Sequence, residues 1–248
     1  MMIERTWIQM GMPVTVCICD EAAGEEDVAA VASLLEDVNQ RFSPYLEPSE
    51  VSRLNAGVIG RHQVSADFET ILNLCEQAKT ETDGYFDVMR NGRIDPSGLV
   101  KGWAIARASA LLTARGWRNY FVDAGGDVQT AGLNGDHQPW RVGIRNPFQR
   151  DEQVKVLAIS GLGVATSGTA IRGQHIYNPM QASPLVSDVV SLTVIGPTIF
   201  EADKMATAAF AMGREGISFI AARPELEGYA ITADGMGIST EGFHHYVR

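Results

Sequence analysis

The chain has 248 residues, is 45% hydrophobic and 20% charged, and carries a net charge of −10. That length can bury a sizeable core, and the acidic balance argues against non-specific binding to nucleic acid or to an anionic membrane surface. The three cysteines, Cys17, Cys19 and Cys75, are odd in number and without repeated spacing, so they form no disulfide framework. No apolar run approaches the ~18 residues of a membrane span, and the first residues lack a continuous apolar signal region, so the expectation is a cytoplasmic protein.

Residues 14–19 read as a strand that puts Cys17 and Cys19 on one face, as small core hydrophobes or as a metal pair. Val28, Val31, Leu34, Leu35, Val38 and Phe42 recur at helical spacing behind Glu25-Glu26-Asp27. Residues 41–60 are polar and turn-rich. A second helix covers about 67–82 and is closed by Gly84. A third covers about 99–114, with Gly116 as its stop. A strand at 119–123 runs into Ala124-Gly125-Gly126-Asp127. Further strands are expected at 140–145, 154–160 and 189–195, then helices at 199–212 and 217–222 and a strand at 229–232. Strands and helices mix without strict alternation. The fold class is therefore α+β, with helices packed on a largely antiparallel sheet, as one unit over residues 1–248.

Several segments could carry chemistry. Asp203 and Thr207 lie four residues apart in the fourth helix, on one face and one turn apart. Two oxygens so placed could serve a hard cation such as Mg²⁺, or simply a solvated helix face. Asp95-Pro-Ser-Gly98-Leu-Val-Lys101-Gly102 opens the third helix. Ser97 is a candidate N-cap, and the first-turn N–H groups with Lys101 would suit a phosphate or carboxylate, or a capped surface helix. Gly125-Gly126-Asp127 permits close backbone approach or a hairpin turn. Thr166 and Ser167 offer two hydroxyls in Ala165-Thr-Ser-Gly168, and His175 sits in polar His175-Ile-Tyr-Asn-Pro179, as a proton carrier or a structural histidine. Tyr45, Tyr85 and Phe86 could stack on a flat ring or fill core. No G-x-G-x-x-G or G-x-S-x-G pattern is present.

In chain order, Met10-Gly11-Met-Pro-Val, Phe42-Ser-Pro-Tyr45, Ser49-Glu-Val-Ser-Arg-Leu-Asn55, Gly84-Tyr-Phe-Asp87, Asp95-Pro-Ser-Gly-Leu-Val-Lys-Gly102, Gly125-Gly-Asp127, Ala165-Thr-Ser-Gly168, His175-Ile-Tyr-Asn-Pro179 and Ala202-Asp-Lys-Met-Ala-Thr207 together resemble the ApbE family of FAD:protein FMN transferases. The resemblance implies a T-fold-like α+β architecture. It implies Mg²⁺-dependent transfer of FMN from FAD, as substrate, to a Ser or Thr of an acceptor flavoprotein, releasing AMP. Some relatives instead hydrolyse FAD, and a non-catalytic FAD binder is a third reading. By position, Asp203, Thr207 and the Gly98 carbonyl match metal ligands. Met10, Tyr45, Tyr85, Phe86, Asp87, Asp95, Lys101, Thr166, Ser167 and Ile176 match flavin-contacting positions, and His175 matches the family's base. The chain departs from the family pattern at Met12, at Asn178, where an acid is usual, and at Gln181-Ala182.

Overall fold

The computed structural model describes residues 2–149, 151–169, 176–180, 186 and 188–248. The chain opens with a hairpin of β1 (Ile3–Gln9) and β2 (Met12–Ile18), in which Gln9 pairs with Met12. Only Met10 and Gly11 are left to turn, at φ 52° and 72°. Two left-handed residues give the turn whose twist matches its strands. Strand β1 was not expected, because it is an edge strand with a single buried residue, Ile3, and shows no clean alternation.

Helix α1 (Glu25–Phe42) buries Val28, Val31, Leu35, Val38 and Phe42 along one face. Helix α2 (Glu50–Asn55) lies inside the turn-rich stretch; it starts where the Ser49 side chain accepts the Ser52 N–H at 3.0 Å. Then come α3 (Ala66–Glu81), the short hairpin β3 (Met89–Arg90) and β4 (Arg93–Ile94), and α4 (Ser97–Ala114). Ser97 is not the cap of α4. The Asp95 carboxylate accepts the Ser97 N–H at 3.1 Å, so the turn before the helix is closed by an acid.

Strands β5 (Tyr120–Ala124) and β6 (Asp127–Ala131) form the hairpin around Gly125 and Gly126. They are followed by β7 (Trp140–Arg145), β8 (Gln153–Ile159), β9 (Gly163–Gly168) and β10 (Val189–Gly196). Helix α5 (Ile199–Ala211) begins at Thr198, whose hydroxyl accepts the Glu201 N–H. Helix α6 (Gly216–Ala221), β11 (Glu227–Thr232) and β12 (Gly237–Ser239) end the sequence of regular elements.

Eight strands form one antiparallel sheet in the order β1-β2-β5-β6-β9-β10-β11-β12. One face carries Val16, Val122, Ala165, Leu192 and Val194 into a core shared with α1, α3, α4 and α5. The other face carries Val128, Val164 and Ile195 against Val142, Ile144, Leu157 and Ile159 of the β7–β8 hairpin and against Phe243. Neighbouring residues of β9 and β10 thus serve opposite cores, as the two-residue strand period requires. Cys75 is buried in the first core as a small hydrophobe, and Cys17 is buried on the β2 face opposite Val16 and Ile18; burial pushes the Cys75 thiol up to about 12. Among the described residues no helix is long and apolar enough to cross a membrane.

Candidate active site

Helices α4 and α5 meet through matched small and polar residues. A Cβ on Gly102 would lie 2.7 Å from Asp203 Cβ and 3.0 Å from the Ile199 carbonyl, and one on Gly98 would lie 3.3 Å from Thr207 Cγ2. Gly98 and Gly102 are four apart on α4, as Asp203 and Thr207 are on α5, so the two faces run along each other one turn at a time. The glycines let the backbone of α4 come within hydrogen-bond range of α5 side chains. The Gly102 N–H donates to Asp203 Oδ2 at 2.8 Å, and Thr207 Oγ1 donates to the Gly98 carbonyl at a long 3.4 Å. In a regular helix that N–H would serve Gly98 O. Its donation to Asp203 lessens its claim on a carbonyl that faces α5.

Lys101 projects from the same turn of α4 between two buried acids. Its ammonium pairs with Asp127 and lies 3.2 Å from Asp203 Oδ1, and both acids are only 3% exposed at the side chain. Burial, opposed by Lys101 and reinforced by Asp127, raises the pKa of Asp203. Asp127 also fixes β9 through Oδ1, which accepts the Thr166 N–H at 2.9 Å. The Thr166 hydroxyl lies 2.8 Å from that of Thr193 on β10. One ammonium thus faces two carboxylates, leaving a buried excess of negative charge.

This constellation lines the floor of a cleft. All the expected positions among the described residues line it except two: Gly98, Asp203 and Thr207, then Tyr85, Phe86, Asp87 and Asp95, then Lys101, Thr166, Ser167 and Ile176. Phe86 is fixed by its N–H to Thr82 Oγ1 at 3.0 Å, and the Asp87 carboxylate takes Lys79 and the Met89 N–H, each at 2.8 Å. Met10 and Tyr45 are not among the lining residues. Met10 sits in the β1–β2 turn against the first core, and Tyr45 is 93% exposed. His175 lies outside the described residues, as do Gln181 and Ala182. Asn178 is buried, and its Oδ1 accepts the Met180 N–H at 2.9 Å, a bond that an aspartate would make equally well.

The cleft also holds residues that the sequence reading missed. Arg90 of β3 lies 5.1 Å over the Tyr177 ring, and Tyr177 donates to the Met89 carbonyl at 2.9 Å. Gly143 and Arg145 of β7 form part of the wall. Strand alternation alone would have paired those two on one exposed face, but not told which surface they border.

Among the described residues no three His, Cys, Asp or Glu side chains gather as a metal cluster. The donors on offer are instead a carboxylate, a hydroxyl and a carbonyl, all hard oxygens. Thr207 Oγ1 and Gly98 O are 3.4 Å apart, close to the ~3 Å between neighbouring oxygens in an octahedron of ~2.1 Å bonds. The residues therefore fit a small divalent cation, which would also offset the unbalanced acid.

A family model described as the ApbE family matches residues 10–92 and 89–230. The chain belongs to the ApbE family. Among its relatives, the FAD:protein FMN transferase of Vibrio cholerae serotype O1 is 34% identical over 240 residues, covering 73% of this chain and 72% of that one. The FAD:protein FMN transferase of Escherichia coli strain K12 is 28% identical over 208 residues, covering 80% of this chain but only 58% of its own length. This ApbE-family chain thus spans less than two thirds of the E. coli relative. In fold it is similar to the Flavin Transferase ApbE from Vibrio cholerae (TM-score 0.85, 23% identity, 99% of each chain covered). It is likewise similar to the ApbE protein from Thermotoga maritima (TM-score 0.88, 21% identity, all of each chain covered).

Proposed function

We propose that this protein is an Mg²⁺-dependent FAD:protein FMN transferase that attaches FMN to a Ser or Thr of an acceptor protein and releases AMP. The observation that carries the reading is the meeting of Asp203, Thr207, the Gly98 carbonyl and Lys101 on one cleft floor, in a chain whose relatives carry that name. Asp203, Thr207 and the Gly98 carbonyl would hold the cation, and Tyr85, Phe86 and Ile176 would flank the flavin. When bound, Mg²⁺ supplies charge neutralisation on the phosphate oxygens and orients them for in-line displacement.

The residues of the chain do the rest. Lys101 holds Asp127 and Asp203 in place, and Asp127 holds the β9 backbone. The acceptor hydroxyl oxygen forms a bond to the FMN phosphorus as the bond from that phosphorus to the oxygen bridging to AMP breaks. The hydroxyl proton passes to a base, a role proposed for His175 by its match to the family, and AMP departs with the electron pair. We further assign residues 1–248 to one flavin transferase domain, a reading supported by the continuous eight-stranded sheet from β1 to β12. Action in the cytoplasm is supported by the three unpaired cysteines.

The test is incubation of purified protein with FAD and Mg²⁺, with and without candidate acceptors, followed by nucleotide chromatography and acceptor mass. AMP released only with acceptor, together with an FMN-sized mass gain, supports transfer. AMP without acceptor means hydrolysis, and bound FAD with no AMP means a binder.

A further inference from the structure

The anion-binding groups expected from the sequence are largely committed within the protein. In the first turn of α4, the Ser97 N–H serves Asp95 and those of Leu99 and Val100 serve the Pro96 carbonyl, both at 2.9 Å. In the glycine turn, the Gly125 N–H serves the Pro13 carbonyl at 2.9 Å and the Gly126 N–H serves Asp123 Oδ1 at 2.8 Å. The Lys101 ammonium is outnumbered by its two acids. The diphosphate of a dinucleotide in this cleft would meet a single ammonium already set between two carboxyl groups.

The remaining cation-bearing walls are β3, where Arg90 is laid over Tyr177, and β7, which carries Arg145. Three observations single out Arg145. It is exposed while Val142 and Ile144 beside it are buried, so its strand is anchored by core and its side chain is spared for the cleft. The β7–β8 register shifts between Ile144 and Arg145, and such bulges re-aim a side chain beside a site. The next residue, Asn146, is fixed by its N–H to the Glu152 carbonyl at 2.8 Å, which holds the strand end in place. The Asp123 carboxyl feels the charge of Arg145, although burial still holds that acid above the ordinary carboxylate range.

We propose, resting on the flavin transferase reading, that Arg145 is a binding residue for the diphosphate of FAD, contacting its oxygens from the β7 wall of the cleft that Asp203 and Thr207 also line. A guanidinium meets phosphate oxygens in pairs, and a contact of this type removed by truncation weakens binding about 10- to 100-fold. Arg145 also supplies charge that the acid-rich floor lacks.

The test is flavin-fluorescence titration of parent, Arg145→Gln and Arg145→Lys with FAD and with riboflavin, which has the ring but no phosphate. Arg145→Gln is expected to weaken FAD about 10- to 100-fold and leave riboflavin unchanged. Arg145→Lys should fall between, keeping charge without the fork, and the gap between parent and Arg145→Gln should shrink in ~1 M salt. Equal FAD affinity in parent and Arg145→Gln overturns the inference while leaving the transferase reading intact. So does equal loss for FAD and riboflavin, or a defect confined to the KM for acceptor. If the parent binds no FAD, both fall.

Discussion

Gly102→Ala isolates the packing that makes the site. The added Cβ would sit 2.7 Å from Asp203 Cβ, 2.9 Å from Asp203 Oδ2 and 3.0 Å from the Ile199 carbonyl. Carbon atoms pack best at ~3.5–4.0 Å, so α4 and α5 must part by most of an ångström. Such overpacking costs about 1–3 kcal/mol, and straining the Gly102 N–H bond to a carboxylate costs about 1.5–3 kcal/mol. Better helix propensity returns about 1 kcal/mol. The net is about 1.5–5 kcal/mol, which in a chain of this size lowers Tm by roughly 3–20 °C. Gly98→Ala is the control: its Cβ would lie 3.3 Å from Thr207 Cγ2 and 3.4 Å from Phe86 Cε2. Small shifts absorb that, and propensity offsets it to within about 1 kcal/mol. Differential scanning calorimetry and FAD turnover on both variants are the assay. A Gly102→Ala protein melting at or above the parent, with parental Mg²⁺-dependent turnover, would refute the close α4–α5 approach as the basis of the site.

Asp203→Ala should cut Mg²⁺-dependent AMP release at least about 100-fold, the scale of a lost metal ligand, as followed by nucleotide chromatography; parental rates at the parental Mg²⁺ requirement would dismiss it as a ligand. Lys101→Met removes the ammonium from between two buried carboxylates and should cost about 3–5 kcal/mol. The loss is least at acid pH, where burial-raised Asp203 takes up a proton, and a Tm unaffected at neutral pH would contradict the pairing. Burial pushes the Asp123 carboxyl up to about 6, so the folded state holds a proton that the unfolded state releases from pH ~4 upward. Its effect is therefore absent below pH ~4 and destabilises by about 3 kcal/mol above pH ~6. Asp123→Asn should accordingly raise Tm at pH 8 and not at pH 4, and a Tm difference independent of pH would show that Asp123 does not titrate in this range.

The long helices were legible in the sequence because each carries its apolar face at helical spacing and a stop signal, as in α1 with Val28 to Phe42 and α4 with Gly116. The missed elements lacked such patterns for physical reasons. Strand β6 has four consecutive buried residues, Asp127 to Thr130, so nothing alternates. Strand β9 looks like a flexible loop because α5 lies on it: a Cβ on Gly163 would meet the Ile199 nitrogen at 2.2 Å, and only small residues are tolerated. The i, i+4 spacing of Asp203 and Thr207 was readable as a shared face. The facing stripe of Gly98 and Gly102, and the acids on either side of Lys101, come from distant segments and appear only on folding. That is also why the helix start and Lys101 read as an anion site, whereas in the structure most of their donors and charge are spent internally.

The central claim is that a divalent ion on Asp203, Thr207 and the Gly98 carbonyl holds the diphosphate of FAD. Crystals grown with FAD and Mn²⁺ in place of Mg²⁺, measured for anomalous scattering, test it most directly. The account predicts a peak bonded to those three oxygens and to phosphate. A peak elsewhere, or FAD bound with the Asp203 carboxylate still held only by Gly102 and Lys101, would contradict it.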